Sequence, residues 1–336
     1  MYKKHVTIPI FVPEMACPFR CIYCDQHLIS GAKSIPAKED VVKTIEKYLS
    51  TITVSESEIE VGFFGGSFTG IPIKQQLEYL TEVKPFIDKG IVQSIRISTR
   101  PDYINESNLH LLKSNNVKTI ELGAQSLDNE VLKISKRGHT VEDVENASRL
   151  IKSFGFDLGL QMMIGLPGDN PTKCIATAKK IAELKADNTR IYPTIVIKGT
   201  YLEELYNHGE YKALSLEECI STLKLLIPVF DDAQVKILRV GLHPSKDLQL
   251  GAYIAGPFHP SLRELVETEI WKDKFEVIIH KADSQSNLIV SVSKKQFNFA
   301  IGFKSKNKKQ LEDHFKSVKF IIDNNLLNKD FYVHLD

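Results

Sequence analysis

Short β-branched apolar runs alternate with amphipathic stretches through the first two thirds of this 336-residue chain, and that alternation restricts its fold more than any other feature. The extended runs fall at 6–12, 59–64, 94–99, 119–123, 158–164 and 190–195. Between and after them, apolar residues recur with helical spacing at 38–49, 74–87, 106–114, 140–154, 172–184 and 215–230. Ser215 and Glu218 make a capping box at the start of the last of these. Repeated strand–helix units predict an α/β fold with a parallel sheet and right-handed crossovers. Polar residues inside the runs, Ser98, Glu121 and Gln161, indicate a solvated lumen rather than a sheet buried on both faces. The expected architecture is a partial (β/α)6 barrel of TIM-like form over 1–240, with its site at the strand C-terminal ends. Glycines and prolines then mark an irregular connector with a short helix at 241–272, the helix covering 260–271. The tail, 273–336, reads as a small C-terminal α+β domain: strands at 275–280, 288–292 and 297–302, a helix at 306–314 and a strand at 319–322.

A net charge of +1 does not by itself select a polyanionic partner. No apolar run reaches the length of a membrane span, and 5–12 is too short for a signal-peptide core, so a cytoplasmic protein without membrane association is expected. Five cysteines, an odd number, argue against a disulfide framework. Cys174 and Cys219 fall singly on helical patterns and read as small apolar residues. The other three are clustered.

Cys17-Pro-Phe-Arg-Cys21-Ile-Tyr-Cys24 has the spacing C-x3-C-x2-C. Three thiolates so close can hold three corners of an iron–sulfur cubane and leave the fourth iron open to a chelating ligand. Zinc is the rival, because thiolates suit both metals and His27 would complete a four-ligand site. The cluster follows the first strand directly, at the mouth of the expected barrel. Pro18, Phe19, Ile22 and Tyr23 make its loop more apolar than a zinc knuckle requires.

With Tyr23 before its last cysteine, this motif resembles that of the radical S-adenosylmethionine superfamily. The resemblance implies a [4Fe–4S] cluster on Cys17, Cys21 and Cys24, with S-adenosylmethionine (SAM) chelated at the open iron and cleaved to a 5′-deoxyadenosyl radical. It also implies an external electron donor of flavodoxin or ferredoxin type. Further motifs carry the likeness along the chain. Gly65-Gly66-Ser67 stands where the superfamily places a glycine-rich contact to the cofactor's amino group. Ser98 matches a strand-end position that is a carboxylate in coproporphyrinogen oxidases, where it would touch the ribose. Gln125, with Arg137 twelve residues on, resembles a pair that contacts ribose and methionyl carboxylate. Gln161 matches a polar cofactor contact, and Ile164 an apolar seat for adenine. The residue chemistry agrees for Arg137, since a guanidinium pairs well with a carboxylate. Arg100 reads equally as a structural ion-pair residue, and Tyr192 as a residue facing substrate or packing in the core.

Two further stretches, 8–13 and Gly256-Pro257-Phe258-His259-Pro260, resemble bacterial elongator-like radical proteins. The elongator catalytic subunit modifies a tRNA wobble uridine with the help of an acetyltransferase domain. The tail here is too short for that domain, so the expectation is a radical protein lacking it, acting on RNA, with tRNA implied by that resemblance, or on an unidentified metabolite. Ile301-Gly302-Phe303-Lys304-Ser305-Lys306 faintly resembles the loop of a KH RNA-binding module. With Lys294, Lys295, Lys308 and Lys309 it forms a basic stretch that suits phosphates or, equally, a solvated face. A zinc-stabilised RNA-binding protein and a coproporphyrinogen-oxidase-like enzyme remain the alternatives.

Overall fold

The computed structural model describes residues 3–12, 21–25, 34–243 and 245–336. Cys17, His27, and Pro18 and Phe19 of the expected cluster loop lie outside them. Strands are β1 (Lys4–Val12), β2 (Ser57–Gly65), β3 (Ser94–Thr99), β4 (Val117–Gln125), β5 (Asp157–Ile164), β6 (Asn188–Pro193), β7 (Val196–Ile197), β8 (Lys236–Val240), β9 (Tyr253–Ala255), β10 (Asn287–Val292), β11 (Ser317–Ile322) and β12 (Phe331–Leu335). Helices are α1 (Lys38–Leu49), α2 (Ile73–Asp88), α3 (Glu106–Ser114), α4 (Asn129–Ile134), α5 (Val141–Ser153), α6 (Pro171–Glu183), α7 (Tyr201–Asn207), α8 (Leu216–Asp232), α9 (Lys246–Gln249), α10 (Leu262–Ile279), α11 (Phe297–Ile301) and α12 (Lys306–Glu312).

Seven strands pair in the order β1-β2-β3-β4-β5-β6-β8, all parallel. Side chains from β1 through β8 line one cavity, so the sheet curls into a half-barrel. The six expected strands are present, and β8 adds a seventh beyond the (β/α)6 reading. Its five residues, Lys-Ile-Leu-Arg-Val, follow α8 so closely that the sequence blurs them into the helical pattern. Local chemistry starts the crossover helices. The Asn105, Asp128 and Asn170 side chains each accept a backbone N–H at a helix start, and Thr140 with Asp143 closes a capping box on α5. The helices bury apolar stripes such as Val144, Ala147 and Ile151 against strands whose own residues (Ile59, Val61, Ile95, Ile97, Leu158, Leu160) are fully buried. Burying each such side chain is worth about 1.5–3 kcal/mol. Among the described residues no helix is long and apolar enough to cross a membrane.

The chain divides into two compact units. The first comprises 1–215 and 228–258, and holds the half-barrel; the second comprises 216–227 and 259–336. In the second, β10 lies between β11, parallel to it, and antiparallel β12. Trp271, Phe275, Leu288, Val290, Val292 and Leu311 form its core, and the Trp271 indole donates to Gln296 at 3.1 Å. Two strand expectations fail here. Residues 275–280 continue α10, and 297–301 form α11. In both, every-other-residue apolar spacing (Phe275, Val277, Ile279; Phe297, Phe299, Ile301) imitates a strand, while the remaining contacts are helical. Gly302 to Ser305 therefore joins two helices rather than a strand and a helix. Of its neighbouring lysines, Lys306 pairs with Glu269 and Lys308 with Glu312.

Candidate active site

A cavity of about 770 Å³ fills the concave face of the half-barrel. Its polar lining is dictated by strand alternation: Gln161 and Met163 share a face of β5, as do Arg190 and Tyr192 of β6, while intervening residues pack outward. Cys21, Tyr23, Cys24, Gly65, Gly66, Ser67, Ser98, Gln125, Arg137 and Gln161 all line it. Ile164 does not. It points away into the core, fully buried, and Met163 takes the apolar place on the cavity side.

The described part of the cysteine loop is seated by its own apolar residues. Cys21, Ile22 and Tyr23 pack with Val131, Leu166, Leu202 and Tyr211. The Ile22 amide donates to the Ser135 carbonyl at 3.3 Å, and its carbonyl accepts from Leu202 at 2.8 Å. Arg137 then ties the loop to the end of β4. Its Nη1 donates to Cys21 Sγ at 3.3 Å and its Nη2 to the Gly123 carbonyl at 2.7 Å. Gly123 has to be glycine for this, because a Cβ there would lie 2.7 Å from Arg137 Nη2 and 3.0 Å from Gln125 Nε2. Gln125 itself sits at φ 64°, a costly conformation for a side-chain-bearing residue. Its buried Oε1 has no hydrogen-bond partner among the described residues. Next to Arg137, His139 is buried with a ring nitrogen 3.3 Å from the Ala124 carbonyl, and burial together with Arg137 holds its pKa down at about 3.

The floor is a charge network that the sequence reading missed, apart from Ser98, Glu121 and Gln161. Glu121 lies at its centre, 1% exposed. Its carboxylate accepts from Arg96 Nη1 (2.6 Å), Arg190 Nε (2.9 Å) and Gln161 Nε2 (2.7 Å). Burial alone would push this carboxyl up, but Arg190 and Arg96 outweigh it and hold it below its ordinary value. Glu60 accepts from Arg96 Nε at 2.8 Å and from the Thr7 hydroxyl at 2.8 Å. Arg100 proves an ion-pair residue, clasping Asp102 with two bonds of 2.9 Å. The signal for the network was present: Glu60, Arg96 and Glu121 are ionised residues inside otherwise apolar strands.

Two cysteines, Cys21 and Cys24, in the lining of a cavity that also has glycine backbone can hold a soft metal centre and leave room for a ligand beside it. The comparisons with known proteins agree. The Radical SAM superfamily pattern matches residues 14–181, and the Radical_SAM C-terminal domain pattern matches 186–272. A tRNA uridine(34) acetyltransferase of Dehalococcoides mccartyi is 24% identical over 78% of this chain and 64% of its own length. One from Methanocaldococcus jannaschii is 39% identical over 65% of this chain and 47% of its own. The chain thus spans about half to just under two thirds of these relatives. In structure, the archaeal Methanocaldococcus infernus Elp3 with an N-terminal deletion superposes with a TM-score of 0.63 at 22% identity, covering 86% of this chain and 71% of that one. With the superfamily pattern spanning half its length, this chain belongs to the Radical SAM superfamily, as an enzyme with Elp3-like homologues.

Proposed function

We propose that this enzyme cleaves SAM reductively at a [4Fe–4S] cluster held by Cys17, Cys21 and Cys24, and directs the resulting radical at a tRNA. The observation that carries the reading is Arg137 reaching from Cys21 Sγ to the end of β4, which joins the thiolate loop to the row of strand ends that would hold SAM. The residues present fit both groups. Thiolates are the ligands of such clusters, and the buried Oε1 of Gln125, without a partner among the described residues, is an acceptor for a hydroxyl or ammonium donor. When bound, cluster and SAM together supply a 5′-deoxyadenosyl radical, with the electron delivered by a flavodoxin- or ferredoxin-type donor.

The chain's own residues do the positioning. Arg137 steadies Cys21 and presents positive charge where a carboxylate would lie. The Gln161 amide is oriented by Glu121, leaving its carbonyl oxygen as the group for a ligand in the cavity. Gly65, at φ 104° beside the Val12 carbonyl, and Gly66 let backbone approach the ligand without a side chain intervening. The apolar bed of Ile22, Leu166 and Leu202 keeps water from the loop. Support for tRNA comes from the tRNA uridine(34) acetyltransferases to which the chain is similar.

Anaerobic reconstitution should load about four irons per chain, and dithionite should then release 5′-deoxyadenosine from SAM. In Cys21→Ala, both iron and cleavage should fall to background. A colourless protein with one zinc and no cleavage would overturn the assignment. For tRNA, nucleoside profiles of a deletion strain and its parent should differ in a modified uridine; identical profiles would remove tRNA as substrate.

A further inference from the structure

The β8 wall of the cavity carries a cation that no carboxylate among the described residues balances. Glu60 and Glu121 match Arg96 and Arg190, and Asp102 matches Arg100. Two lining arginines remain, Arg137, which holds Cys21 and the Gly123 carbonyl, and Arg239 of β8. The second lies in register beside Arg190 of β6, so two guanidinium groups stand on neighbouring strands. Arg190 is committed to Glu121. Arg239 instead donates its Nε to the Gly241 carbonyl at 3.1 Å and an Nη2 hydrogen to His243 Nδ1 at 3.4 Å, and no carboxylate among the described residues pairs with it. Both residues line the cavity. A partly buried cation beside a second cation is unfavourable unless an anion joins them. Burial and Arg239 lower the His243 pKa, and a neutral ring whose Nδ1 accepts from Arg239 presents its Nε2–H as a donor.

We infer that Arg239 and His243 bind an oxyanion of the substrate, a carboxylate or a phosphate group, on the β8 wall of the cavity. The planar guanidinium edge suits paired oxygens, and the imidazole N–H adds a third donor. The carboxylate of SAM is not the occupant. β8 stands three strands from β4, roughly 14 Å across the sheet, and Arg137 serves the β4 end. That the oxyanion belongs to the substrate rests on the radical reading above; that the site exists does not.

Equilibrium dialysis of the full reconstituted chain against labelled inorganic phosphate and labelled acetate tests the site. The wild type should bind at least one of them, and the stronger names the source of the oxyanion. Arg239→Gln should weaken that binding about tenfold or more, with Arg239→Lys intermediate. Raising salt from about 0.05 to about 0.5 M should weaken wild-type binding too. A wild type that binds neither anion, or a folded Arg239→Gln that binds both as tightly as wild type, overturns the inference. Should Arg239→Gln fail a circular-dichroism check, Arg239→Lys decides in its place, and unchanged affinity there counts against the site. Iron content and SAM cleavage of the wild type are measured separately, so loss of the radical reading leaves the dialysis result standing, and the converse.

Discussion

At the scale of single residues, the lumen couples folding to charge. Glu121 is the shared acceptor for two arginines, so Glu121→Gln should cost about 3–5 kcal/mol, because it leaves buried positive charge uncompensated. Urea unfolding measures this, and a loss below about 1 kcal/mol would show that water already screens the network. His139 gives a pH signature. Its folded value near 3 lies below the ordinary 6.5, so below 6.5 the unfolded chain takes up a proton that the native one refuses. Its contribution is therefore intact above 6.5 and lost as pH falls toward 3, at up to about 1.4 kcal/mol per pH unit. His139→Gln should flatten the dependence of the melting temperature on pH between 6.5 and 4; an unchanged slope would assign it to other groups. Gly123→Ala pushes on the flexible end of Arg137 rather than on backbone. We expect a stability loss of at most about 1 kcal/mol with a larger loss of SAM cleavage, read from melting and 5′-deoxyadenosine release together. The site was legible where chemistry was local, as in the cysteine spacing and the glycine pair. The floor was not, because Arg96, Glu60 and Arg190 come from three strands and only the curl of the sheet brings their charges to Glu121. Ile164 faces the core, and strand alternation seats Met163 in the cavity beside it.

At the scale of elements, the strands that sequence revealed best are those with β-branched runs closed by Gly, Pro or polar residues. β1 through β6 all have such ends; β8 too stops at Gly241, but Lys236 and Arg239 within it carry charge where the others are mostly apolar. The errors in the second unit have the opposite cause: apolar residues at alternate positions in α10 and α11 mark a strand by pattern, yet Phe275, Ile279, Phe297 and Phe299 pack into the core of Trp271 and β10. Close strand packing makes its own prediction. A Cβ on Gly159 of β5 would meet Asn188 Oδ1 and Glu121 Cγ, each at 2.7 Å. Gly159→Ala should therefore destabilise the first unit by about 1–3 kcal/mol, checked by urea midpoint, and wild-type stability would mean that β5 and β6 can separate.

For the whole molecule, the division into two units predicts that unfolding is not all-or-none. Each unit has its own buried core, and the second contains a stretch of α8 inserted from far upstream. Transitions followed by circular dichroism and by tryptophan fluorescence should have separate midpoints; coincident curves would show that the two units melt together. The reason this test is clean lies in Trp271. It is the chain's single tryptophan, and it is fully buried against Phe275 and Phe331. Tryptophan emission, excited beyond the tyrosine absorption, therefore reports the second unit alone, while any visible colour from a metal on the cysteine loop arises in the first. Each half of the molecule thus has its own optical channel, and the two can be read from one cuvette without a label.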